Sequence, residues 1–122
     1  MVGWTVQLVI DRSDVTRFAA LAEEMSAAAE AEPGTLLHAR VGTPDGCFVH
    51  AIEVYRDASA ACMHLEAFRS TFATRFLALV RREDCFLYGS ATPALLDMLA
   101  PLRPLWLPNS VSFASRLAVV PN

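Results

Sequence analysis

TLLHARVG (35–42), TPDG (43–46) and CFVHAIEVY (47–55) form one continuous stretch whose reading decides the fold. TPDG is a turn with a mechanism: Pro44 presets φ, and Asp45-Gly46 tolerates the tight part. The flanking segments are rich in β-branched and apolar residues, so they read as two strands of a hairpin. If Gly42 opposes Cys47, one face carries Leu37, Ala39, Val41, Phe48, His50, Ile52 and Val54. The other carries Leu36, His38, Arg40, Val49, Ala51, Glu53 and Tyr55. The first set is the more apolar and is expected under helices. The second, mixed set is expected to meet a partner subunit. A slip of one residue would exchange the faces.

Working outward, Trp4 to Ile10 reads as a strand with Trp4, Val6, Leu8 and Ile10 on one face. Asp11 or Ser13 can cap a helix in which Val15, Phe18, Leu21, Ala22, Met25 and Ala29 recur at helical spacing. Glu32-Pro33-Gly34 ends it. Asp57 opens a second helical region reaching about Arg82, with a break expected near 66–70. Residues 84–89 read as a fourth strand. Thr92-Pro93 opens a short helix, Pro104 and Pro108 keep the following stretch extended, and 111–117 is expected to be a last short strand. The order is β-α-β-β-α-β followed by a helix and a strand. It predicts a ferredoxin-like α+β fold, one sheet with two helices on one face. The bare face calls for a partner, so a homodimer is expected.

The chain has 122 residues and 54% hydrophobic residues, enough for one core without staples. Net charge is −3, and all ten basic residues are Arg, with no basic stripe, so nucleic acid is not an expected partner. No apolar run approaches the ~20 residues of a membrane span. No signal-peptide pattern follows Met1, so the expected location is cytoplasmic. Cys47, Cys62 and Cys85 show no C-x-x-C spacing and read as inert buried thiols.

The chemistry centres on the second helical region. His64, Phe68, Phe72, Phe76 and Val80 recur every fourth residue, on one helix face. The phenylalanines suit core packing. His64 on that stripe is either a satisfied core histidine or a polar group lining a ligand pocket, where it could move protons. In the hairpin register above, His50 points into the same layer and could assist it. His38 should point to the opposite face, so no metal site is expected from His38 and His50. Arg40, Glu53 and Tyr55 are expected to form a network across the dimer interface. Trp4 either packs near the strand start or lines the pocket. No G-x-S-x-G, G-x-G-x-x-G or phosphate-binding loop is present.

Glu53-Val54-Tyr55-Arg56-Asp57, Ala60-Ala61, His64-Leu65-Glu66 and the spaced Phe68, Phe72 and Phe76 resemble the antibiotic biosynthesis monooxygenase superfamily. Glu32-Pro33-Gly34-Thr35 matches its usual entry to the second strand. The resemblance covers residues 4–90. It implies a ferredoxin-like subunit in a dimeric α+β barrel, with 91–122 as a C-terminal extension that closes the pocket or packs on the partner. It also implies cofactor-independent oxygenation of a polycyclic aromatic or quinol-type molecule. His64 would lead in proton transfer or anion orientation with His50 assisting, Trp4, Phe68 and Phe72 would form pocket walls, and no metal or cofactor would be needed. Haem degradation does not fit, because His64 stands near that group's Trp and Thr74 near its His. A non-oxidative polyketide cyclase or isomerase, or a non-catalytic dimeric small-molecule binder, would suit the same fold.

Overall fold

The computed structural model describes residues 1–114. Its elements are β1 (Val2–Ile10), α1 (Val15–Glu30), β2 (Thr35–Gly42), β3 (Phe48–Tyr55), α2 (Ala58–Thr71), α3 (Ala73–Leu79), β4 (Val80–Gly89), α4 (Pro93–Leu99) and β5 (Leu105–Leu107), with single 3₁₀ turns at Arg12–Asp14 and Ala100–Leu102. One sheet runs in the order β2-β3-β1-β4-β5. The β1-β3, β1-β4 and β2-β3 pairs are antiparallel, and β5 joins β4 in parallel. This is the ferredoxin-like α+β arrangement expected from the sequence, extended by one edge strand.

Local chemistry explains the boundaries. Asp57 starts α2 by accepting the Ala60 N–H at 2.8 Å, and Thr92 starts α4 by accepting the Leu95 N–H at 3.3 Å. In the hairpin turn, Gly46 takes φ +76° and donates its N–H to the Thr43 carbonyl at 2.9 Å. Four expectations shift. Gly42 pairs with Val49 rather than Cys47. The second helical region breaks at Phe72 and ends at Leu79, so Val80 opens a longer β4 and leaves the helical stripe. Leu105–Leu107 forms the last strand among the described residues; of the expected strand over 111–117, residues 111–114 are not in a strand and 115–117 lie outside the described residues. Of the three thiols only Cys85 is buried; Cys47 and Cys62 are half-buried.

The core lies between the sheet and the helices. Val2, Trp4, Val6, Leu8 and Ile10 of β1 enter it with Phe18, Leu21 and Met25 of α1 and Phe76 of α3. From the C-terminal segment, Leu95 and Leu99 are fully buried in the same cluster.

The faces of the hairpin are the reverse of those expected. The two sets of residues are as read, because the register shift is an even number and preserves alternation. However, Val49, Ala51 and Tyr55 are buried in the core, with His38, Arg40 and Glu53 beside them. The more apolar set is the uncovered one, with Leu37, Val41 and Phe48 exposed. The inner face tolerates its polar residues because their charges are largely paired with one another, which counting apolar residues cannot register.

Leu95→Ala should cost about 2–5 kcal/mol in urea unfolding, the range for a fully buried leucine. A loss below about 1 kcal/mol would mean that α4 is not part of the cooperative core.

Candidate functional site

Glu53 on β3 is the centre of a buried polar cluster. Its Oε1 accepts the Tyr55 hydroxyl at 2.5 Å and lies 3.2 Å from His64 Nε2 and 3.8 Å from His38 Nε2. On its other side His64 donates Nδ1–H to Glu32 Oε1 at 2.8 Å. Glu32 sits in the α1–β2 turn and also accepts the Thr35 hydroxyl at 2.9 Å. The Arg56 N–H donates to the Gly34 carbonyl at 2.9 Å, which holds that turn against the start of α2. A Cβ on Gly34 would stand 2.4 Å from the Ala60 Cβ, so only glycine allows this approach. The approach is what lets a turn residue reach a helix histidine.

Arg40 donates Nη1–H to His38 Nδ1 at 3.3 Å. Because a guanidinium has only donors, His38 Nδ1 is the acceptor and Nε2 carries the ring proton. The rings of His38 and Tyr55 lie 5.2 and 5.1 Å from that of His64, and Trp4 lies 5.0 Å from Tyr55.

The charges follow from these contacts. Burial opposes ionisation of Glu53, but the hydrogen bond and charge of His64, the charge of His38 and the Tyr55 hydroxyl outweigh it and bring its carboxyl down from 4.5 to about 2. Burial likewise opposes the His64 cation, yet its two carboxylate partners raise it above its ordinary value. His38 moves the other way, lowered mainly by burial. Burial and the Glu53 charge keep Tyr55 protonated. With Glu32 and Glu53 as anions, and His64 and Arg40 as cations, the cluster is neutral as a whole.

The cluster borders a cavity of about 60 Å³ lined by Trp4, Met25, Leu65, Phe68 and Leu102 among others. A larger hollow of about 610 Å³ lies on the uncovered sheet face, against Thr5, Ile52, Val54, Tyr88 and residues 107–113. Of the residues singled out in the sequence, His64, Trp4 and Phe68 line the smaller cavity. Phe72 does not; it packs at the α2–α3 break with Arg75 over its ring at 5.6 Å. His50 is on the uncovered face beside Phe48 and cannot assist His64, because β3 alternation separates them. His38, expected opposite, is the histidine that meets His64. Arg40, Glu53 and Tyr55 join this cluster instead of the uncovered face. In the sequence Glu32 stood out as part of the turn that ends α1 and of the family-like entry to β2, and not as a site residue.

By sequence, no protein-family model matches the chain, and no curated protein matches it significantly. By structure, MupZ from Pseudomonas fluorescens superposes with a TM-score of 0.85 at 20% identity, covering 98% of this chain and 92% of that one. An antibiotic biosynthesis monooxygenase superposes at 0.61 and 22% identity over 76% of this chain and 100% of that one. The chain has the antibiotic biosynthesis monooxygenase fold. SnoaB from Streptomyces nogalater, a cofactor-independent oxygenase solved as a point variant, superposes at 0.63 and 21% identity over 75% of this chain and 93% of that one. Within the antibiotic biosynthesis monooxygenase fold of this chain, the charged cluster belongs to β2, β3, α2 and the α1–β2 turn, and Leu102 of the C-terminal segment lines the cavity.

The opposed histidine shifts set a pH test. Glu53, lowered in the fold, contributes stability above about pH 4.5 that is lost as pH falls toward 2. His64, raised in the fold, contributes stability below 6.5 that is lost as pH rises through its folded value. His38, lowered in the fold, costs stability as pH falls through 6.5. In an NMR titration His64 should therefore titrate above 6.5 and His38 below it. Glu53→Gln should move the His64 midpoint down; no movement would remove Glu53 as its partner.

Proposed function

We propose that the protein is a cofactor-independent monooxygenase of a polycyclic aromatic or quinol-type small molecule, working as a homodimer. The observation that carries this reading is the set of His64, Glu53, Arg40 and His38 lining a largely apolar cavity, with part-exposed Glu32 paired to His64 behind it. The fold, shared with a named cofactor-independent oxygenase, supports the general kind of reaction.

In this reading the substrate supplies the electrons. A methylene made acidic by its own conjugated rings gives one proton to Glu53. The carbanion, spread onto the substrate oxygen as an enolate, lies against the His64 and Arg40 charges. One electron passes to dioxygen, and the two radicals join in a C–O bond. His64 returns a proton to form the hydroperoxide. Loss of the second methylene proton then breaks the O–O bond, leaving a ketone and one water. The methylene loses four electrons and dioxygen gains four.

Because Glu53 is held so firmly ionised, it is a weak base. The site therefore suits substrates already close to ionisation. The cavity of about 60 Å³ takes a head group and not a whole polycycle. The rings would enter by displacing Leu65, Phe68 and Leu102 at its wall. Phe72 and His50 have no part in this reading.

A second reading, a non-oxidative cyclase or isomerase, is favoured by one observation. His64 is held protonated between two carboxylates and is thus an acid at rest. Such an acid could open or rearrange a polyketide ring without oxygen.

The uncovered face suits a second copy of the chain. Val41 and Phe48 there are 55% and 38% exposed, with half-buried Ile52 and Val54 between them and Tyr88.

Oxygen uptake by chelator-treated protein with a panel of anthrones and hydroquinones tests the chemistry. Protein-dependent uptake should fall at least about 100-fold in His64→Ala, the scale of a lost proton-transfer group. Turnover that continues under strict anaerobiosis would move the assignment to the cyclase. Light scattering tests the assembly: it should give twice the 13.3 kDa chain mass, falling to one chain in Val41→Arg.

A further inference from the structure

Leu102 stands between two hollows. On one side it closes the cavity of about 60 Å³ that His38, Glu53 and His64 line. On the other it borders a hollow of about 250 Å³ at the sheet edge, with Asp84, Cys85, Phe86 and Arg103. It is the one residue that these two spaces share. β4 runs past both. The β1–β4 register slips between Val6 and Leu8, and this bulge turns Arg82 toward the inner cavity and Cys85 toward the outer hollow.

We propose that Leu102 is the gate of the inner cavity. Displacing this one side chain joins the two hollows and admits the flat ring of a small aromatic molecule from the sheet edge, and the size of residue 102 sets how fast such a ring enters and leaves. The inference rests on the small cavity being the ligand site and not on any chemistry with oxygen.

Volume requires that some wall residue move. A dry cavity that takes a benzene ring measures ~150 Å³, well above the closed space here. Joined to the outer hollow, it reaches the ~300 Å³ at which small-molecule pockets begin. The other apolar walls are poorly placed to yield first. Leu65 and Phe68 ride on α2, and α2 is tied through His64 to Glu32 and Glu53, so moving them pulls on the charged cluster. Trp4 and Glu53 also border the hollow on the uncovered face, but there the paired backbones of β1 and β3 stand between the two spaces.

Leu102 has no such ties. It is half-buried at the end of the 3₁₀ turn Ala100–Leu102, between fully buried Leu99 and the three-residue β5. Pro101 and Pro104 on either side bring no N–H donor. Arg103 closes the turn by donating its N–H to the Ala100 carbonyl at 3.0 Å. It does so at φ +48°, the one non-glycine residue at positive φ among the described residues. A side chain held in that region is strained, and turning Arg103 back to negative φ would relieve the strain and carry Leu102 with it.

The test follows binding without turnover. Under nitrogen, 2-naphthol is mixed with the full chain by stopped flow, and its own fluorescence reports association and dissociation. Leu102→Ala should speed both by about ten-fold and leave Kd nearly unchanged, because a gate acts on both directions alike, whereas an ordinary wall residue acts mainly on dissociation. Leu102→Trp should slow association by about ten-fold. Leu65→Ala, which enlarges the cavity away from the gate, should alter dissociation alone. Histidine ring signals in NMR locate the probe: those of His38 and His64 should shift, and that of His50 on the uncovered face should not. Circular dichroism and melting confirm that each variant is folded. An association rate unchanged in Leu102→Ala, with His38 and His64 shifted, makes Leu102 a fixed plug and overturns the proposal. So do shifts confined to His50, or no binding of 2-naphthol to Leu102→Ala. The expected gate kinetics without oxygen uptake on anthrones and hydroquinones would overturn the oxygenase and leave the gate.

Discussion

A single buried carboxylate organises this protein. Burial opposes the Glu53 charge, which His64 and Tyr55 favour, and burial opposes the His64 charge, which Glu53 and, on the other side, Glu32 favour. The chain of contacts therefore ties β3, α2 and the α1–β2 turn together at one point. Replacing either end of a buried ion pair leaves the other charge uncompensated, a far larger penalty than the pair's own contribution. The backbone around it is arranged to match: Gly34 lets the turn close on α2, and Asp57 fixes where that helix begins.

Much of the architecture was legible in the sequence because it is written in short-range chemistry. The turn Thr43–Gly46, the caps Asp57 and Thr92, and the alternation of β1 are local signals, and each appears where expected. The orientation of the hairpin was not legible, and the reason lies in His38, Arg40 and Glu53. Each alone signals solvent. Only their mutual contacts, together with His64 and Glu32 from elsewhere in the chain, make the inner face inhabitable. Once that face was assigned the wrong way, His50 was drawn toward the site and His38 away from it. His64 escaped the error because its position follows from helical spacing with Phe68, independent of the strands. The break at Phe72 was misplaced for a related reason. A stripe at steps of four continues in sequence whether or not the helix does, so Phe72 looked like a pocket wall when it is the junction between two helices.

The cluster also bears on what kind of chemistry this fold can host here. Its charges balance and are largely withdrawn from water, which makes the groups better at holding a charge than at creating one. Donors outnumber free bases at the cavity. A reaction that develops negative charge on a ligand oxygen is favoured by that arrangement, whether the electrons then go to dioxygen or to another carbon.

The edge of the sheet carries a separate consequence. β5 pairs with β4 at Phe86, Leu87 and Tyr88, so among the described residues the rest of β4 is an open edge. A bare edge is a template on which a stray strand from another molecule could grow. The sequence along that open stretch is Arg81-Arg82-Glu83-Asp84, four consecutive charged residues. Arg82 turns inward to line the small cavity, but an intruding strand would still have to lie against exposed Arg81, Glu83 and Asp84, both signs of charge, and strip their water. The short strand seals the apolar end, and the charges guard a border that hydrogen bonding alone leaves unfinished.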